Sequence, residues 1–102
     1  MLAIIRKILG LSSPDYRQLL QNGAVIADVR TPGEFKAGHI PDSLNYPLDS
    51  IRSKIPELQK MNKPVMTVCR SGTRSGMAKG ILASAGIEVY NGGAWTSLKK
   101  KI

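Results

Sequence analysis

The chain has one cysteine, one histidine and only 5% aromatic residues. A single cysteine excludes an internal disulfide and agrees with a reducing, cytoplasmic compartment. It also leaves no second thiol in the chain to resolve a covalent adduct, so any group loaded on Cys69 must pass to another molecule. With so few aromatics, aliphatic side chains have to fill the core. No segment approaches the roughly 20 consecutive apolar residues of a membrane span, and there is no repeat, linker or low-complexity stretch. Acidic residues are scarce as well, seven against fifteen lysines and arginines, for a net charge of +8. That balance attracts anionic small molecules or acidic partners. The basic residues are scattered and lack interleaved aromatics for base stacking, which argues against nucleic acid. The 102 residues suffice for one domain with a modest core.

What is present centres on Val65 to Ser75, Val-Met-Thr-Val-Cys-Arg-Ser-Gly-Thr-Arg-Ser. Val65 to Val68 reads as a buried strand that stops at Cys69, and a helical pattern begins a few residues later. The thiol therefore lies at a strand-to-helix switch, where free backbone N–H groups and the positive end of the helix dipole converge. Arg70 and Arg74 add positive charge, and Gly72 permits a turn tight enough to form an anion nest. A lone cysteine is ordinarily a small core hydrophobe. In this setting the thiolate is favoured, and cysteines so placed fall from a pKa of about 8.5 to between roughly 3.5 and 7.5.

Elsewhere the pattern alternates. Residues 1–11 read as an apolar, amphipathic extension, with Leu2, Ile4, Ile5, Ile8, Leu9 and Leu11 on one helical face. Arg6 and Lys7 interrupt it too early for a signal peptide, and packing onto the domain or a second copy is favoured over a membrane surface. Residues 12–102 form the domain. Ser12-Ser13-Pro14-Asp15 signals a helix start with a hydroxyl cap, and Asn22-Gly23 its end. Ala24 to Val29 suits a central parallel strand. Thr31 and Glu34 predict a capping box on a short helix ended by Gly38. Ser43 to Tyr46 is a brief strand, and Leu48 to Met61 is helical with an interruption at Pro56. Ser75 to Ala85 is helical, Glu88 to Tyr90 a strand, Asn91-Gly92-Gly93 a turn, and Ala94 to Lys99 a last helix before a solvated lysine tail. Such alternation indicates an α/β domain with a mainly parallel sheet.

Asp28-Val29-Arg30, Glu34-Phe35, Gly38-His39-Ile40-Pro41, Asn45 with Pro47, the Cys69 loop and Gly92-Gly93 with Trp95 occur in the order found in single-domain rhodaneses. Over residues 12 to 98 the chain resembles that family; Asp42-Ser43 departs from the glycine and alanine that often follow its His-Ile-Pro. The resemblance implies a three-layer fold, a five-stranded mainly parallel sheet flanked by helices, with the active loop at the carboxyl end of a central strand. It also implies sulfur transfer from thiosulfate or a persulfide donor through a Cys69 persulfide to cyanide, a thiol or an acceptor protein, without metal or organic cofactor. Cys69 is then catalytic, and Arg70, Ser71, Gly72, Thr73, Arg74 and Ser75 form the substrate-binding loop. Asp28 and Arg30 support it, by a salt bridge or a direct substrate role.

Within this picture Arg70 is expected to face outward and Arg74 to brace the loop by pairing with Asp28. Glu34 is expected to cap its helix or pair with Arg30, His39 to shape a turn, and Trp95 to join the core. Two other readings use the same residues. A phosphatase or arsenate reductase could share the fold, but protein tyrosine phosphatases place five residues between cysteine and arginine. Here four, Arg70 to Thr73, intervene, and Val68 stands where a histidine would precede the cysteine. That smaller cradle suits a sulfur atom better than a tetrahedral phosphate. A non-catalytic binding module, or a redox sensor with an oxidisable thiol, is the other alternative.

Overall fold

The computed structural model describes residues 14–102; the expected amphipathic helix at residues 1–11 and the hydroxyl cap at Ser12 and Ser13 lie outside them. Helix α1 (Tyr16–Gln21) is capped by Asp15, whose carboxylate accepts the Gln18 N–H at 3.0 Å. Strand β1 (Val25–Asp28) follows the Gly23 turn, where φ is +101°. Helix α2 (Pro32–Ala37) starts with the expected capping box between Thr31 and Glu34. Strand β2 (Leu44–Asn45) leads into a 3-10 helix (Leu48–Lys54) and then α3 (Ile55–Met61). Pro56 sits in the first turn of α3, where no N–H is needed, so the interruption becomes a change of helix type. Strand β3 (Val65–Cys69), helix α4 (Thr73–Ser84), strand β4 (Val89–Ala94) and helix α5 (Trp95–Lys101) complete the chain. Among the described residues no helix is long and apolar enough to cross a membrane.

The sheet has four strands in the order β2-β1-β3-β4, all parallel. The fifth strand expected from the family has no counterpart among the described residues, whose other segments are helices and turns. The chain moves outward from β1 to β2, then returns to lay β3 on the other side of β1. From the carboxyl ends of β1 and β3 the chain runs to opposite sides of the sheet, and such a switch point is the usual ligand position in open α/β sheets. Asp28 closes β1 there and Cys69 closes β3, with Asp28 opposite Val68 in the register.

Alternation along the strands divides the core in two. Ala27, Val29, Val65 and Cys69 face one layer with Ile51, Leu58, Ala78 and Leu82, from the 3-10 helix, α3 and α4. Ala24, Ile26, Met66 and Val68 face the other with Leu98 of α5, against which Tyr16, Leu19 and Leu20 of α1 pack. Every residue of β3 is buried, so this strand is the spine of the molecule.

Two expectations near the carboxyl terminus change. Asn91-Gly92-Gly93 is not a turn but the middle of β4, which continues to Ala94 with one extra residue opposite the Thr67–Val68 step. A Cβ on Gly92 would lie 2.9 Å from the Thr67 carbonyl oxygen and 3.0 Å from Val68, so the bulge requires glycine there. The three lysines 99–101 form the last turn of α5 rather than a tail, where positive charge complements the negative end of the helix dipole.

Candidate active site at the carboxyl end of the sheet

Cys69 is the last residue of β3, and α4 begins only four residues later, so the chain must reverse within Arg70-Ser71-Gly72. Gly72 makes this possible with φ of +101°, a conformation that an L side chain resists. Its carbonyl starts α4 by accepting the Gly76 N–H at 3.0 Å, and its own N–H turns back to the Cys69 sulfur at 2.9 Å. The sulfur also lies 3.4 Å from the Ser75 hydroxyl. Cys69 and Ser75 are both fully buried, on the floor of the loop. Burial pushes the thiol up, but contacts with the Ser75 side chain and with the backbone of Ser75, Gly72 and Ser71 outweigh it and hold it below its ordinary value. The loop backbone, and the Ser75 hydroxyl when its proton turns to the sulfur, thus favour the thiolate.

The charged groups divide between two pairs. Asp28 is fully buried and receives Arg30 Nε at 2.9 and 3.1 Å and Nη2 at 2.6 Å. The same guanidinium donates to the Gly38 carbonyl at 2.7 Å and lies 4.7 Å from the Trp95 ring, tying the end of β1 to α2 and α5. With its carboxylate occupied, Asp28 is not the partner of Arg74. Arg74 instead makes a two-pronged bond to Glu34, at 2.7 and 3.0 Å. Glu34 Oε1 also accepts the Thr31 N–H at 3.1 Å, so one carboxylate caps α2 and braces the loop. The bond from Arg74, with that from the Thr31 backbone, lowers the Glu34 pKa to about 2. Glu34 does meet Arg30, but through its backbone carbonyl, at 3.3 Å.

Of the residues singled out in the sequence, Cys69, Gly72 and Ser75 come into direct contact. Ser71 and Thr73 line the exposed rim, their hydroxyls 3.5 Å apart, and Arg70 is exposed beside them. His39 stacks on Phe35, centroids 3.8 Å apart, and its Nδ1 bonds the Phe35 carbonyl at 2.7 Å, at the end of α2. Trp95 is half-buried against the second core layer. A cleft of about 90 Å³, bordered by Val29, Pro47, Leu48 and Arg74, opens next to the loop.

Asn91 escaped the sequence reading, because an asparagine before two glycines signals a turn. The bulge in β4 instead brings its side chain to the loop. Asn91 Oδ1 accepts from Ser75 Oγ at 2.7 Å and from the Gly93 N–H at 2.9 Å, and its Nδ2 donates to the Gly72 carbonyl at 3.2 Å.

Comparison with known proteins follows the same lines. The family model described as rhodanese-like domain matches residues 12–98. A Pseudomonas syringae pv. syringae protein named thiosulfate sulfurtransferase GlpE is 39% identical over 80 residues, covering 76% of this chain and 74% of its own length. An uncharacterized Bacillus subtilis protein, YqhL, is 39% identical over 69 residues, covering 67% of this chain and 54% of its own. Among solved structures, a rhodanese with anions from E. coli superposes with a TM-score of 0.66 at 30% identity, covering 72% of this chain and 89% of that one. A Lactobacillus plantarum protein gives 0.71 at 27% identity, covering 97% and 90%.

Proposed function

We propose, since the chain belongs to the rhodanese-like domain family, that it is a sulfurtransferase whose Cys69 carries sulfane sulfur as a persulfide. The observation that carries this reading is the sulfur of Cys69 held against the Gly72 N–H at 2.9 Å, at the carboxyl end of β3 beside that of β1. Backbone donors that hold the thiol below its ordinary pKa enlarge the thiolate fraction, and the thiolate is the nucleophile.

With thiosulfate as donor, the Cys69 thiolate attacks the outer sulfur. A new S–S bond forms, the bond to the sulfonate sulfur breaks, and sulfite leaves with the electron pair. The product is a Cys69 persulfide anion, and no external oxidant or reductant is consumed. Cyanide or a thiolate then takes the outer sulfur and regenerates the thiolate. The loop N–H groups stabilise anionic sulfur in both half-reactions without rearranging. Arg70, exposed at the rim, meets the donor's negative charge, and the net charge of +8 draws anions toward it. Arg74 holds the loop through Glu34 rather than binding the donor. That engagement also favours sulfur over phosphate, since a phosphoryl group needs a free guanidinium across the cradle. Because the sulfur is buried, reagent size should govern access, and small donors load Cys69 faster than bulky disulfides.

Two-substrate kinetics test this reading. Thiosulfate and cyanide should give parallel double-reciprocal lines, the pattern of a ping-pong reaction. Cys69→Ser should give no turnover. Intersecting lines, or turnover by that variant, would remove the persulfide from the mechanism.

A further inference from the structure

Ser75 is fully buried, its hydroxyl 3.4 Å from the Cys69 sulfur and 2.7 Å from Asn91 Oδ1. A hydroxyl has one proton to give. The orientation of the Asn91 amide is fixed twice, by the Gly93 N–H that Oδ1 accepts and by the Gly72 carbonyl to which Nδ2 donates. Flipping the amide would set donor against donor and acceptor against acceptor. Oδ1 therefore faces Ser75 as an acceptor, and the Ser75 proton points at Asn91. Toward the sulfur Ser75 then offers only lone pairs, which suit S–H and oppose S⁻. An anionic sulfur needs the hydroxyl to turn, and Oδ1 can release it because the Gly93 N–H remains.

We propose that Asn91 is a positioning residue for Cys69, its amide holding the Ser75 proton while Cys69 is a thiol and yielding it to the sulfur when Cys69 is a thiolate or persulfide anion. On ionisation the thiol proton leaves to solvent, the Ser75 O–H···Oδ1 bond breaks and a Ser75 O–H···S⁻ bond forms. Asn91 and the sulfur compete for one proton, so Asn91 sets how readily the anion forms. The Tyr16 hydroxyl donates to the Asn91 carbonyl at 3.2 Å and fixes the backbone from which the amide projects. The charged groups around the loop do not take part in the exchange: Asp28 stays with Arg30, Glu34 stays with Arg74, and Arg70 is exposed. This deepens the carrier reading given above and takes its functional meaning from it.

The test is titration of Cys69 in the full chain by thiolate ultraviolet absorbance, read against Cys69→Ser. Ser75→Ala should raise the midpoint by about one pH unit, a tenfold loss of thiolate below it. Asn91→Ala should lower the midpoint, because the Ser75 proton then faces sulfur without a competitor. The double variant should match Ser75→Ala alone. A residue that only scaffolded the loop would shift both single variants the same way. Upward shifts in both, or none with Asn91→Ala, overturn the proposal. If Asn91→Ala does not fold, Asn91→Asp replaces it: the carboxylate grips the Ser75 proton harder and should raise the midpoint more with Ser75 present than in Ser75→Ala. Equal shifts would overturn it. Titration needs no sulfur donor, so opposite-sign shifts without sulfur loading would discard the carrier reading alone. Loading with the wrong signs would discard the role of Asn91 alone.

Discussion

The two ends of the sheet offer opposite kinds of surface. At the amino end lies the larger cavity, about 380 Å³, between Leu58 of α3 and the segments that lead into β3 and β4. The carboxyl end has a cleft of only about 90 Å³. Yet the smaller end holds the thiol, the glycine turn, both ion pairs and the Ser75–Asn91 contact. Volume alone makes no site. Chemistry gathers where strand ends, a helix start and a topological switch aim backbone donors at one atom. The amino end is a gap between packed elements, where buried Leu58 and Ile87 meet exposed Gln59, Asn62, Lys63 and Glu88.

That contrast can be broken by substitution at either end. The largest effect is expected at Gly72, where a valine must adopt φ of +101° or move the N–H that meets the sulfur. Loss of one oriented N–H donor costs about 10²–10³ in rate in other enzymes, so Gly72→Val should reduce sulfur transfer on that scale. Near-normal turnover by a folded Gly72→Val protein would take the backbone cradle out of the account.

At the opposite end, Leu58 is 1% exposed and lines the larger cavity. Leu58→Ala should cost about 2–5 kcal/mol of stability, read by denaturant unfolding, while sulfur transfer per folded molecule stays unchanged. A selective loss of turnover without loss of stability would show that the amino end takes part in function.

The smallest effect belongs to the brace. The Glu34 pKa is lowered from 4.5 to about 2, so its bonds to Arg74 and Thr31 favour the folded state above the unfolded value. That contribution is lost as pH falls from about 4.5 through about 2. The pair is partly exposed and screened by solvent, so Glu34→Gln should flatten acid unfolding slightly in this window. An unchanged acid limb of the stability curve would contradict it.

Much of the carboxyl end was legible in the chain because its signals are local. Strand, cysteine, glycine and helix follow one another within Val65 to Ser84, and the Thr31–Glu34 box spans four residues. Partner choice was not legible. Arg74 pairs with Glu34 across forty residues instead of Asp28, because Arg30, two positions from Asp28, already saturates that carboxylate. Asn91 was hidden for a similar reason: only the pairing of β4 with β3 turns an apparent Asn-Gly-Gly turn into a bulge that faces the loop. The fifth strand came from the family likeness rather than from a hydrophobic run, and the residues from Pro14 onward form four strands.

The most direct test of the central claim is intact-protein mass spectrometry after brief incubation with thiosulfate, with and without a reductant chase. The account predicts a gain of one sulfur atom that the reductant removes and that Cys69→Ser never acquires. A folded protein with a free Cys69 thiol that gains no sulfur from thiosulfate, nor from glutathione persulfide, would contradict it.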